Sequence, residues 1–119
     1  MFKIVNKTFH VSRGNSGIVN LTLKSGNFNT DDIVTLRIYE VQGLDAEPIK
    51  TISSVVEFDG QTATLVMDSE DTDFGDLGNE VTDYWYEIKV NEDKTILGFD
   101  DSGAKIFKLY PTGVAAKVE

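Results

Sequence analysis

The chain has no cysteine, one histidine, one tryptophan and two prolines in 119 residues. Without cysteine there is no disulfide, no thiolate nucleophile and no thiolate metal site. A serine–histidine–acid arrangement needs an imidazole held between the other two groups. The only imidazole, His10, falls in an alternating run opposite Phe9 and Val11, the position of a half-exposed structural histidine. Basic residues are also few, 11 against 20 acidic ones, for a net charge of −9. That field repels phosphate backbones and anionic headgroups, so neither nucleic acid nor a membrane is an expected partner. It also helps to keep a strand-rich protein in solution. No apolar run approaches the ~20 residues that span a bilayer. Met1 to Lys7 has neither the long apolar stretch nor the small-residue cleavage site of a signal peptide and reads as a first strand. There is no glycine-rich phosphate loop and no dinucleotide fingerprint, so no cofactor and no enzymatic activity are expected.

What fills the sequence instead is short-range alternation. Apolar residues make up 40% and aromatics 10%, which suits one globular domain with its own core. Period-two patterns run through Thr8 to Arg13, Val19 to Lys24, Ile33 to Val41, Thr62 to Met67, Tyr84 to Val90 and Lys105 to Tyr110, each predicting a half-buried strand. A β-branched stretch covers Ile49 to Phe58, and Thr95 to Leu97 is a shorter strand. In the longest run Val34, Leu36 and Ile38 are expected to face the core, with Thr35, Arg37 and Tyr39 outward or at an edge. In the aromatic run Tyr84, Tyr86, Ile88 and Val90 face inward, and Trp85, Glu87 and Lys89 outward. Turn formers punctuate the strands at Gly14-Asn15-Ser16-Gly17, Ser25 to Asp32, Asn91 to Lys94 and Asp100 to Gly103. Asp59-Gly60 carries a type I′ hairpin signal. The pattern predicts an all-β, immunoglobulin-like antiparallel β-sandwich of about seven to nine strands. One domain is expected over residues 1–111, with a loose tail over 112–119.

Two places invite a functional hypothesis. Between Asp68 and Asp83 stand seven acidic residues, a supply of hard oxygen ligands for Ca²⁺. Their spacing does not fit an EF-hand loop, so no metal site is assigned. The segment is expected to be a solvated crossover with Asp68 or Asp71 capping a short turn near Ser69 to Asp73. Trp85, outward on its strand, could join Tyr39 and Tyr110 in an exposed aromatic platform for a sugar or a protein.

Five pieces then come in a telling order: Gly14-Asn15-Ser16, Asp31-Asp32 ahead of the long strand, Glu70-Asp71-Thr72, Tyr84-Trp85-Tyr86-Glu87-Ile88, and a last strand ending at Pro111. This order resembles a family of small immunoglobulin-like tail or baseplate proteins from phages and prophages of Gram-positive bacteria, similar to the N-terminal domain of baseplate upper proteins. The likeness spans roughly residues 8 to 111. The chain departs from the family at Asn15 and Glu87, where aspartate is usual. The resemblance implies a virion structural protein, assembled in the bacterial host cytoplasm and without a catalytic site. Its partners would be other tail or baseplate subunits or further copies of itself, met through edge strands and exposed apolar patches such as one around Trp85. A carbohydrate-binding module on a virion or bacterial surface is the alternative, with Trp85, Tyr39 and Tyr110 stacking on sugar rings.

Overall fold

The computed structural model describes residues 1–23, 26–41, 47–75, 80–92, 94–97 and 106–111, and within them the alternation becomes an all-β fold. Nine strands follow in order: β1 (Phe2–Val5), β2 (Thr8–Ser12), β3 (Gly17–Thr22), β4 (Ile33–Tyr39), β5 (Lys50–Val55), β6 (Thr62–Met67), β7 (Thr82–Val90), β8 (Lys94–Leu97) and β9 (Ile106–Tyr110). Seven form one sheet, ordered β1-β2-β9-β7-β4-β5, with β8 also paired to β7; β3 and β6 form a second sheet of two strands.

Local chemistry explains the first hairpin. Asn6 and Lys7 both hold positive φ, 51° and 67°, the two-residue geometry whose twist matches flanking antiparallel strands. Val5 then pairs with Thr8 and Phe2 with Val11. The second pairing departs from the expected all-antiparallel arrangement. β2 and β9 run parallel, Phe9 beside Phe107 and Val11 beside Leu109. They come from opposite ends of the chain, so no tight turn forces them to oppose.

Alternation also selects the core. Phe9, Val11, Val34, Leu36, Ile38, Tyr84, Tyr86, Ile88, Phe107 and Leu109 face inward from the large sheet, and Val19, Leu21, Ala63, Leu65 and Met67 from the small one, in a single buried cluster. Each large side chain of this kind contributes roughly 1.5–3 kcal/mol by leaving water. Two strands cannot cover seven, and aromatics close the gap. Phe74 lies edge-on to Tyr84 with ring centres 5.2 Å apart and 5.8 Å from Phe107. Phe2 meets Phe9 at 6.4 Å and occupies the space above Gly17, where a Cβ would stand 2.2 Å from its ring. The Tyr86 hydroxyl donates to the Lys7 carbonyl at 2.5 Å, tying the β1–β2 turn to the central strand.

Several expectations need correction. Asp59-Gly60 does not close a hairpin, because β5 pairs with β4 and β6 pairs with β3; the chain here crosses between sheets. Asp59 instead accepts the Thr30 backbone N–H at 2.6 Å and the Thr30 hydroxyl at 2.9 Å, while Gly60 bridges to Phe28. Through that bridge Phe28, inside a stretch dense in turn formers, becomes a core residue at 1% exposure. Thr35 and Tyr39 lie on the outward face of β4 as alternation requires, yet both are buried. The acidic segment opens as expected with a one-turn 3-10 helix, Ser69–Thr72, whose Asp71 carboxylate accepts the Asp68 N–H at 2.8 Å. Asp76, Gly78 and Asn79 of that segment, the turn at Asp100 to Gly103 and the tail over 112–119 lie outside the described residues.

Candidate functional site

The outward face of the large sheet carries the three aromatics singled out above. Register places Tyr39 on β4 directly across from Trp85 on β7, and Trp85 across from Ile106 on β9. Tyr110 is four residues further along β9, about 13 Å at strand rise. The first two are therefore neighbours and the third stands apart. Trp85 is half-buried and Tyr39 is 5% exposed. The Tyr39 hydroxyl donates to a Glu87 carboxylate oxygen at 2.5 Å. Burial and, after it, that carboxylate push the phenol's pKa well above its ordinary value, so it remains a neutral donor. Tyr110 is half-buried, its hydroxyl 2.8 Å from His10 Nδ1. What meets the one imidazole is a phenol, and the pair closes the seam where β2 and β9 run side by side.

Charged groups on the same face are largely matched to one another. Lys108 reaches Asp83 at 2.9 Å and its pKa is raised by that hydrogen bond. Arg37 meets Glu92 at 2.8 Å; the contact raises the guanidinium's pKa and lowers the carboxyl's. The face is thus a net of cross-strand pairs with an aromatic inset. Among the described residues no three carboxylates or imidazoles gather as a metal site would require, and no helix is long and apolar enough to cross a membrane.

A different surface holds the exposed apolar area. Where β5 gives way to the crossover, an open groove of about 460 Å³ lies between the edges of the two sheets, lined by Ser54, Val55, Val56, Glu57, Phe58 and residues of β6. Phe58 is 78% exposed, Val55 58% and Val66 49%. The cross-strand pairs Ile33–Val55 and Ile18–Val66 carry the apolar surface onto both outer faces. Among the described residues β5 pairs only with β4 and β6 only with β3, so both present a strand edge beside the groove. Such a combination of edge and apolar side chains is a template for another chain. No sequence motif marks these residues. Alternation turns Val66 outward, but an outward valine looks ordinary until the sheet order shows that it borders a groove. No family model, no curated protein and no solved structure matches the chain.

Proposed function

We propose that this chain is a non-enzymatic assembly module of a phage or prophage tail or baseplate, acting through protein–protein contacts. The observation that carries the reading is the β5–β6 groove with Phe58, Val55 and Val66 open beside two strand edges. Isolated apolar residues on a surface are ordinary, but a contiguous set at a free edge calls for a cover. The resemblance in motif order supplies the setting, a virion.

We further read the two-sheet arrangement as immunoglobulin-like. The large-sheet order β2-β9-β7-β4-β5 facing β3-β6, with the first and last strands of that set side by side and parallel, supports this reading. A carbohydrate-binding module would need aromatic faces open to solvent. Tyr39 is buried and Tyr110 is remote from Trp85, so support for it rests on Trp85 alone.

The test is peptide mass spectrometry on phage particles purified from cultures that encode this chain. The chain is expected in the particles at a copy number comparable with other tail subunits. Its absence from intact particles would remove the virion role.

A further inference from the structure

The two outer edges of the seven-stranded sheet differ in charge as well as position. Residues 1–30 contain four basic residues, Lys3, Lys7, Arg13 and Lys24, and no acidic one; all 20 acidic residues follow, beginning at Asp31. The fold converts this linear bias into a spatial one. The first 12 residues make β1 and β2 at one edge of the sheet, where Lys3 and Lys7 are exposed beside exposed Ile4 and Val5. Arg13, close by, is already bound to Asp73 at 3.4 Å. At the opposite edge, the Asp31 N–H donates to the Val56 carbonyl and the Val56 N–H to the Asp32 carbonyl. Those bonds hold Asp31 and Asp32 beside Val56, whose chain neighbour Glu57 lines the apolar groove, while the Asp32 and Asp59 carboxylates accept hydrogen bonds from Asn29, Asn91 and Thr30. Neither Lys3, Lys7 nor Glu57 has an ion-pair partner among the described residues.

We propose that these edges are mates: β1 of one copy docks on the β5–β6 groove of the next, giving a head-to-tail self-assembly. This rests on the assembly reading above and names its surfaces. Three features favour a second copy as the occupant. The charges are complementary, basic β1 against an acidic rim, although the whole chain is acidic and two like edges would repel. Both edges carry exposed apolar side chains, Ile4 and Val5 at the end of β1 and Val55, Phe58 and Val66 at the groove. Strand sense agrees: following the pairings through the sheet, β1 and β5 point the same way. A copy placed alongside in the same sense brings β1 parallel to β5, the pairing that β2 and β9 already make within the chain. A heterologous contact of this kind closes into a ring if its rotation permits and otherwise grows open-ended.

The test is light scattering and sedimentation of the purified chain over a concentration series. The wild type is expected to associate, with affinity falling about tenfold between roughly 50 and 500 mM salt as the edge charges are screened. Two variants then separate the geometries. Lys3→Glu with Lys7→Glu spoils the β1 edge, and Phe58→Ser with Val66→Thr spoils the groove. Each alone should be monomeric with wild-type thermal unfolding, and an equimolar mixture should stop at a one-to-one dimer, since one intact contact remains between them. A wild type that stays monomeric, a variant that still self-associates, or a mixture that stays monomeric would overturn the proposal. Hydrogen exchange on concentrated wild type reports independently of the variants: amides of β1 and β5 should slow together, and slowing at only one edge would also overturn it. A monomeric wild type that is nonetheless found in purified particles would remove the self-pairing while leaving the virion role standing.

Discussion

β7 and β6 are written in the same alternating code and meet different fates. β7 pairs with β4 on one side and with β8 and β9 on the other. Its inward Tyr84, Tyr86, Ile88 and Val90 are buried, and its outward Asp83 and Glu87 are engaged by Lys108 and Tyr39. β6 buries Ala63, Leu65 and Met67 just as well, but among the described residues it has a single neighbour, β3, and its outward Val66 is half exposed. Alternation therefore decides which side chains leave water, while position in the sheet decides whether the backbone edge and the outward face find partners. Stability should concentrate around β7, and the capacity to bind should concentrate around β6.

The most damaging way to break that contrast is a cavity beside β7. Phe107 pairs with Tyr84, stacks on Phe9 at 5.1 Å and is fully buried. Phe107→Ala should cost about 3–5 kcal/mol in urea unfolding, the usual range for deleting a buried aromatic. A loss under about 1 kcal/mol would mean that the β2–β9–β7 seam is not part of the cooperative core. Tyr86→Phe probes the same strand more gently, since it keeps the ring and removes only the hydroxyl that donates to the Lys7 carbonyl. About 1 kcal/mol should be lost, with faster amide exchange in β1 and β2, because a buried hydrogen bond contributes on that scale. Unchanged exchange in the hairpin would show that the bond does not hold it to the sheet.

The limits of what the sequence reveals follow the same line. Inward positions on β4, β6 and β7 can be read directly because alternation is local. The same holds for the turn at Ser69–Thr72, where Asp71 is three residues from the N–H it accepts. Sheet membership is not local. Asp59-Gly60 has the composition of a hairpin turn, but composition specifies a bend and not the strand that the chain joins next. Phe28 is an apolar residue in a polar loop until its bridge to Gly60, 32 positions on, brings it into the core. Tyr39 is turned outward by its place in β4, yet burial needs a cover, and alternation says nothing about covers. For the candidate surface, the sequence raises an expectation of edge strands and of a patch around Trp85, and neither singles out the β5–β6 groove. Which edge is apolar, and which charge each bears, emerges only with the strand order.

The crossover between the two regions permits a finer test, through pH. Hydrogen bonds from the Thr30 backbone N–H, then from its hydroxyl, hold the Asp59 carboxyl below its ordinary pKa of 3.8. A carboxyl depressed on folding stabilises the protein fully above its unfolded value, and this contribution disappears as pH falls through the folded value. Asp59→Ala should thus be less stable than wild type near neutrality, by a small margin because the group is exposed, and the two should converge in acid below the ordinary carboxylate range. A difference that persists unchanged in acid would show that the ionised carboxylate is not what Thr30 requires.

The smallest expected change in stability is the one that most sharpens the contrast. Phe58 is as large as Phe107 and as apolar, but it is 78% exposed where Phe107 is fully buried. Removing its ring takes almost nothing from the folded core, so Phe58→Ser should alter unfolding by no more than about 0.5 kcal/mol. If the groove is a docking surface, that same substitution should weaken association severalfold while thermal unfolding of the isolated chain stays unchanged. A clear loss of stability would make Phe58 a support for the β5–β6 crossover, and the division between a strand that holds the fold and an edge that meets partners would fail at its most exposed residue.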